Sequence, residues 1–523
     1  MVRESIMRQR QIINIRNALL LGILFLISIP VVIAGENNNL TKQQQYQFLY
    51  QTTFGPTPKT QQQLDSLGIT AWLEYQFSLP FTSHQTLYLT PFPKGEQANR
   101  ENAWYQISIQ AEDQLRQRMA FALSQIVVVS RYGGQFGSRA QALSQYYDQL
   151  GEHAFGNYRE LLKEIAISPV MGSYLSMMGS KKENASTGAL PDENFARELM
   201  QLFTLGLYQI NMDGSFKTTN GKRLATYHQH DIQELARSLT GWSRSDYSYL
   251  LPMKANARTH DSGEKLFLGH TIPAGMQPEA ELDLVLDIIF QHPNVAPFIS
   301  RLLIQRFTTS NPSPEYIERV ANVFANNGAG VRGDLKAVLS AILTDPQAQA
   351  GASKIKEPIL VLTQFHRAFD LTPTSDRLIN AVTFLNVANQ GGLRAPSVFN
   401  FYSPDFAPQG EFEQNGLVAP EFELLDWNVY TQVVNYMYYA IKSNNDPTMS
   451  MNLAPYYERL DQHQALVDLI NERLFGDAMS DALKNLLLNT LNDYPESYVA
   501  KTKLSQILFL ALSSEEFFIQ KWD

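Results

Sequence analysis

Apolar positions recur at helical spacing along most of the chain. Leu115, Met119, Leu123 and Val127 fall every four residues, which places them on one face of a helix and predicts that this face is buried. Start and stop signals frame further helices. Thr41, followed three residues later by Gln44, is a capping-box pair. Thr57-Pro58 begins another helix, with proline at the first helical position and Gly68 as its stop. The same pattern predicts helices over 157–167, 192–205, 421–442, 461–475 and 501–512, and one that Ser313-Pro314 opens and Gly328 closes. One stretch departs from this. Residues 215–219 and 222–227 flank Asn220-Gly221, two residues that tolerate positive φ and suit a tight hairpin turn. No repeat of fixed period and no Pro/Gly/Ser-rich linker divides the chain. The expected fold class is mainly α: a large multi-helical domain with a short β-hairpin insertion. Residues 35–523 are expected to form a single helical domain, with two packed helical subdomains as the alternative.

The first residues carry a different signal. Arg3, Arg8, Arg10 and Arg16 precede an apolar run over 18–33, and Val32-Ile33-Ala34 offers a cleavage site. Residues 1–34 therefore read as a secretory signal peptide, placing the mature chain in the periplasm or outside the cell. Arg8-Gln9-Arg10 is not a twin-arginine pair, which points to the general secretion route. The alternative is an uncleaved inner-membrane anchor, but Pro30 interrupts the run and it falls short of the ~20 apolar residues a span needs. No later segment is long and apolar enough to cross a membrane.

Composition narrows the chemistry. The 523 residues carry a net charge of −9, and removing four Arg and one Glu with the leader takes this to about −12. No long basic run follows, so a general nucleic-acid binder is not expected. The absence of cysteine excludes disulfides, thiolate ligands, cysteine nucleophiles and CxxCH haem attachment. No nucleotide-binding motif is present.

Several stretches carry a resemblance. They are Thr53-Phe54-Gly55-Pro56 and Gly68-Ile69-Thr70-Ala71-Trp72-Leu73, then the run from Leu115 to Ser124. The most specific is Glu193-Asn194-Phe195-Ala196-Arg197-Glu198-Leu199-Met200, continuing to Gly206. Leu239-Thr240-Gly241-Trp242, His260-Asp261 with Lys265, His292-Pro293-Asn294-Val295 and Ala395-Pro396-Ser397-Val398-Phe399-Asn400 follow in order. Each alone is weak; the ordered set resembles the bacterial domain-of-unknown-function family 1800. The resemblance implies export and the company of a second exported family, domain-of-unknown-function 1501, which itself resembles sulfatase-like and phosphatase-like proteins. It implies no established reaction.

The candidate catalytic residues are Glu193, Glu198, His260 and Asp261; the candidate binding residues are Arg197, Trp242 and Lys265. Glu193 and Arg197 are spaced for an i,i+4 pair, so either glutamate is a general base or ligand held by Arg197, or the set braces helix packing. His260, Asp261 and Lys265 fall in a loop-rich stretch, where Asp261 either serves chemistry or locks a turn. No G-x-S-x-G elbow names a serine for a hydrolase triad. His228 and His230 would share a face on a strand, as zinc could use, but Asp231 with Glu234 reads more simply as a helix cap. Arg301, Arg306 and Arg394 suit either an anionic ligand or structural anchoring, and the Tyr436–Tyr439 run either a carbohydrate face or core. The cofactor is unknown, and a divalent metal is compatible with the carboxylate and histidine set. Two functions stay open: a non-catalytic binding or assembly partner of another exported protein, and an exported hydrolase acting on a polymer or its sulfated or phosphorylated groups.

Overall fold

A computed structural model describes residues 40–89, 97–133, 136–350, 354–374 and 378–520. The expected signal peptide, residues 1–34, lies outside the described residues. Residues 40–523 form one compact unit. It is mainly helical, and among the described residues its strands occur only as short two-stranded ladders.

The caps behave as the sequence predicts. Thr41 and Gln44 make a reciprocal capping box at the start of Lys42–Thr52. Asn157 caps Tyr158–Ile167, and Ser313 caps Pro314–Ala325. Gly68 stops its helix as predicted: at φ 71° it leaves helical geometry and divides the stretch Pro58–Ser78 into two helices that meet at a kink. The apolar residues Ile69, Trp72 and Leu73 that follow it are all buried, so packing restarts the helix at once.

The helix Gln114–Ser124 buries its predicted face, Leu115, Met119 and Leu123, and goes further: every residue except Arg116 is buried. Its first residue is satisfied internally: Gln114 donates to the carbonyl of Ala111 at 2.8 Å and accepts from the Phe54 amide at 3.1 Å. Such pairing is what lets an amide side chain sit in a core. Trp72, Trp104, Tyr105, Phe121 and Tyr146 pack into the contiguous core around it.

The C-terminal predictions shift at their edges. The 421–442 expectation splits into a 3-10 turn, Pro420–Glu423, and the helix Trp427–Ser443, because Asp426 caps the Val429 amide at 2.7 Å. The 461–475 expectation becomes His463–Ile470 followed by a π turn, Asn471–Phe475. The predicted 192–205 helix is the shorter Asn194–Gln201.

The predicted hairpin is present as Thr218–Thr219 paired with Lys222–Arg223 across Asn220 (φ 52°) and Gly221 (φ 74°). It is not alone. Lys265–Phe267 pairs with His270–Ile272 across Leu268 and Gly269, and Trp242–Ser243 pairs with Lys254–Ala255. Leu268 sits at φ 47°, a conformation rare for a leucine.

Candidate functional site

Helix Gln229–Ser238 organises the region that holds the predicted residues. His228 is its N-cap, and the His228 amide donates to Asp231 Oδ2 at 2.8 Å. Asp231 is thus the third helical residue reaching back, not the cap itself. Asp231, Glu234 and Arg237 recur every three residues and share one face. That face meets the 265–272 hairpin. The Leu268 amide donates to Asp231 Oδ1 at 2.9 Å, and the Leu266 amide to Glu234 Oε2 at 3.0 Å. The two carboxylates thereby satisfy backbone donors that no neighbouring strand accepts from.

Arg237 completes the brace. It donates to both oxygens of Asp261 at 2.8 and 3.1 Å and to both oxygens of Glu234 at 2.8 and 2.9 Å. Partial burial pushes the Asp261 carboxyl up, but Arg237 and the Gly263 amide outweigh it and hold it below its usual range. The hydrogen bonds that Arg237 donates to Asp261, then to Glu234, hold its guanidinium protonated.

His260 and Lys265 converge on an acid that the sequence did not single out. Glu281, on helix Pro278–Gln291, is fully buried. His260 Nε2 lies 3.0 Å from its Oε2, and Lys265 Nζ lies 2.7 Å from its Oε1. Lys265 also donates to the carbonyls of Asp261 at 2.6 Å and Gly263 at 3.0 Å. Burial raises the Glu281 carboxyl, but the bonds from His260 and Lys265 outweigh it and keep it ionised. A signal was present in the sequence: Glu281 interrupts an apolar stripe of Leu282, Val285, Leu286 and Ile289, where an acid needs a buried partner.

Glu193, Arg197 and Glu198 form a separate group. Arg197 donates to Glu193 Oε2 at 2.9 Å, the predicted i,i+4 pair, and Gln229 donates to the same oxygen at 2.8 Å. Glu198 points elsewhere. It is buried, and its Oε2 has no hydrogen-bond partner. Burial raises its carboxyl, with Arg197 opposing. The Tyr227 hydroxyl also lacks a partner; burial, and then the Glu198 charge, pushes it up to about 12.

Among the described residues no hydrogen bond or ion pair joins Glu193, Arg197 or Glu198 to His260, Asp261 or Lys265. Gln229 and Arg237 touch the two groups from opposite ends of one helix, separated by about 12 Å at 1.5 Å per residue. Trp242 is buried in the core and lines neither group's contacts; its carbonyl accepts from the Gly179 amide at 2.8 Å.

The other sequence candidates are engaged or exposed. Arg301 pairs with Asp405 at 2.5 Å and Arg394 with Glu101 at 2.7 Å, while Arg306 lies over the Tyr402 ring at 4.6 Å. His228 and His230 are exposed at the start of a helix. Among the described residues no group of three His, Asp or Glu is placed to hold a metal ion. Tyr436 bonds His366 at 3.0 Å in the interior, and Tyr439 faces solvent.

A family model described as a protein of unknown function, DUF1800, matches residues 47–519. The chain belongs to the DUF1800 family. No curated protein matches it, and no solved structure matches it.

Two surface features of this DUF1800 chain lie outside every sequence candidate. A groove of about 540 Å³ is lined by Phe406, Phe422, Leu425, Trp427, Tyr430 and Phe518. Trp427 is 84% exposed at its edge, standing 5.9 Å from the Tyr430 ring in an edge contact. Among the described residues Asp426 and Glu515 are the acids of its lining, and no described Lys, Arg or His belongs to it. A larger cleft of about 760 Å³ lies between residues 176–192 and Arg258-Thr259.

Proposed function

We propose that this chain is an exported, non-catalytic binding protein that docks a second exported protein, of the companion family 1501, in the groove around Trp427. One observation carries the reading: a nearly free indole at the mouth of a concave aromatic surface. Tryptophan is the residue most enriched among those that dominate protein interfaces, and an apolar patch rimmed by polar groups marks an interaction surface. With carboxylates as the only charges among its described lining residues, the groove suits an apolar segment flanked by Lys or Arg. The predicted acid–base residues support the same reading, because His260, Lys265 and Asp261 are consumed in internal pairs.

The test uses the purified companion-family protein of the same host, titrated against the wild-type chain and Trp427→Ala. Because the indole is exposed, the variant should fold normally. We expect binding to fall by about 2 kcal/mol, roughly thirtyfold. Equal affinity of the two would refute the groove as the docking site.

Export is part of the proposal. Cleavage after Ala34 leaves Gly35 at the new terminus, which intact-mass measurement on periplasmic or secreted material reads directly. Full-length chain in the membrane fraction would contradict it.

A second reading, hydrolysis of a polymer or its sulfated or phosphorylated groups, is favoured by the unpartnered Glu198 carboxyl beside Tyr227. A carboxyl raised by burial suits a general acid.

A further inference from the structure

We propose that Lys356 is a nucleophilic amine at the floor of a cavity, placed to capture a neutral or cationic aldehyde as an imine. The cavity measures about 620 Å³ and lies between the start of helix Lys42–Thr52, the 474–482 turn and residues 515–519. Lys356 lines it, yet the residue is only 4% exposed. No acid holds its side chain. Among the described residues Nζ donates only to Gln364 Oε1 at 3.1 Å and to the Phe517 carbonyl at 2.7 Å. The neighbouring Glu357 carboxylate is turned away, accepting from Gln125 and Gln390. Lys354, two residues earlier, shows the contrast: it is buried as well, but it pairs with Glu421.

The surroundings suit the uncharged amine. Gln364 spends both hydrogens of its amide on the Tyr46 hydroxyl at 3.0 Å and the Leu474 carbonyl at 3.1 Å, which turns its oxygen to Lys356. Two acceptors match the two N–H bonds of a neutral amine and leave its lone pair unspent. An ammonium carries a third N–H, which finds no acceptor among the described residues. The Tyr50 and Phe517 rings stand 4.3 and 5.1 Å from Nζ. Such ring contacts offset only part of the cost of burying a charge. Burial accordingly lowers the ammonium to about 7.

An uncharged, desolvated lysine is the form that adds to a carbonyl carbon. The Nζ lone pair attacks that carbon, the C–N bond forms, and the carbonyl oxygen takes up a proton. Water then leaves with that oxygen and the two amine hydrogens, and a C=N bond remains. No oxidant or reductant is consumed. The rim selects among carbonyl compounds. Asp477, Asp481, Glu515 and Glu516 line it, and Lys356 is the one cation of the described lining. Lys42 and Lys484 offset Asp477 and Asp481 from outside, at 3.6 and 3.7 Å. Glu516 is bonded by Ser480, which is neutral, and Glu515 has no cationic partner among the described residues. A negative mouth disfavours keto acids and phosphorylated aldehydes and admits a hydroxylated neutral aldehyde or one carrying an amine. Glu515 and Ile519 also line the groove around Trp427, so the two hollows share a wall. Imine formation does not depend on docking there, and the chain alone tests it.

The experiment treats the full chain at pH 7 with glycolaldehyde, which is neutral, or glyoxylate, which is anionic. Cyanoborohydride traps the imine, and peptide mass mapping locates each reduced adduct. At this pH an ordinary lysine is uncharged in only about one molecule in a few thousand. Glycolaldehyde should therefore label Lys356 at least about tenfold faster than the exposed Lys501. With glyoxylate that lead should shrink by about threefold or more, because the rim repels the anion. Lys356→Met should lose the fast label and keep the far-ultraviolet circular dichroism of wild type; should the variant not fold, the wild-type peptide map decides alone. Labelling of Lys356 no faster than Lys501, labelling that appears only in urea, or an equal lead with glyoxylate would each overturn the proposal.

Discussion

His260 presents its Nε2 to Glu281 Oε2 at 3.0 Å, in a position where neither side chain reaches solvent. Its other ring nitrogen faces the Thr240 carbonyl at 3.0 Å, so both nitrogens are occupied. Lys265 closes the arrangement from the second Glu281 oxygen at 2.7 Å. A histidine held on both sides has no nitrogen left to move a substrate proton. His260 and Lys265 thus form a buried clamp on Glu281 that ties the hairpin and its preceding loop to helix Pro278–Gln291.

That clamp makes a stability prediction. Glu281→Ala leaves Lys265 as an uncompensated buried cation and His260 without its acceptor, which should cost about 3–5 kcal/mol. Asp261→Asn removes a charge from a brace that is part-exposed and should cost less, about 1 kcal/mol. Urea unfolding followed by circular dichroism compares the two. A Glu281→Ala chain as stable as Asp261→Asn would mean that the buried pair is not what holds this region.

The difference between these residues explains what was legible in the sequence. Caps and apolar periodicity are local, so Asn157, Ser313 and the Asn220-Gly221 turn each mark an element where one exists. The Leu268-Gly269 turn was invisible because leucine does not signal positive φ; the helix face of Asp231 and Glu234 imposes it by taking the hairpin amides. Site geometry is less local still. His260 and Asp261 are adjacent in sequence, yet one pairs with Glu281 and the other with Arg237, on different helices. Residue type named the charged cluster, but only the packing of three elements shows which partner each charge takes.

Glu198 should behave in the opposite way to Glu281. Its Oε2 is buried without a hydrogen-bond partner among the described residues, and burial raises the carboxyl above its usual value. A raised acid contributes stability that is complete below its unfolded pKa and lost as pH rises through the folded one. At neutral pH the ionised group is therefore a burden. Glu198→Gln should raise the unfolding free energy near pH 7, with the gain fading as pH falls through the raised folded pKa and gone below about pH 4.5. If the hydrolase reading holds, the same variant loses activity while gaining stability. A lower melting temperature at pH 7 would show instead that the carboxylate braces the fold.

The last prediction concerns acid. His366 lies in the interior with the Tyr105 hydroxyl at 2.5 Å from Nδ1 and the Tyr436 hydroxyl at 3.0 Å from Nε2. Burial lowers its pKa to about 3, so the folded protein keeps the ring neutral. Among the described residues no carboxylate pairs with it to favour the charged form. In the unfolded chain the ring protonates near its ordinary value of about 6.5, so the unfolded state binds the extra proton first. Stability contributed by the neutral ring is complete above about pH 6.5 and declines toward pH 3, by at most about 1.4 kcal/mol per unit. His366→Gln removes that titration while keeping a polar side chain for the two tyrosines. Its absolute stability should be lower, because the ring contacts with Phe384 and Tyr436 are lost. The decisive quantity is the slope. Unfolding free energy measured from pH 6.5 to 4 should fall more steeply for wild type than for the variant, by close to one proton's worth. Parallel slopes would mean that His366 takes up its proton in the folded state, and that water reaches a ring placed here in the core.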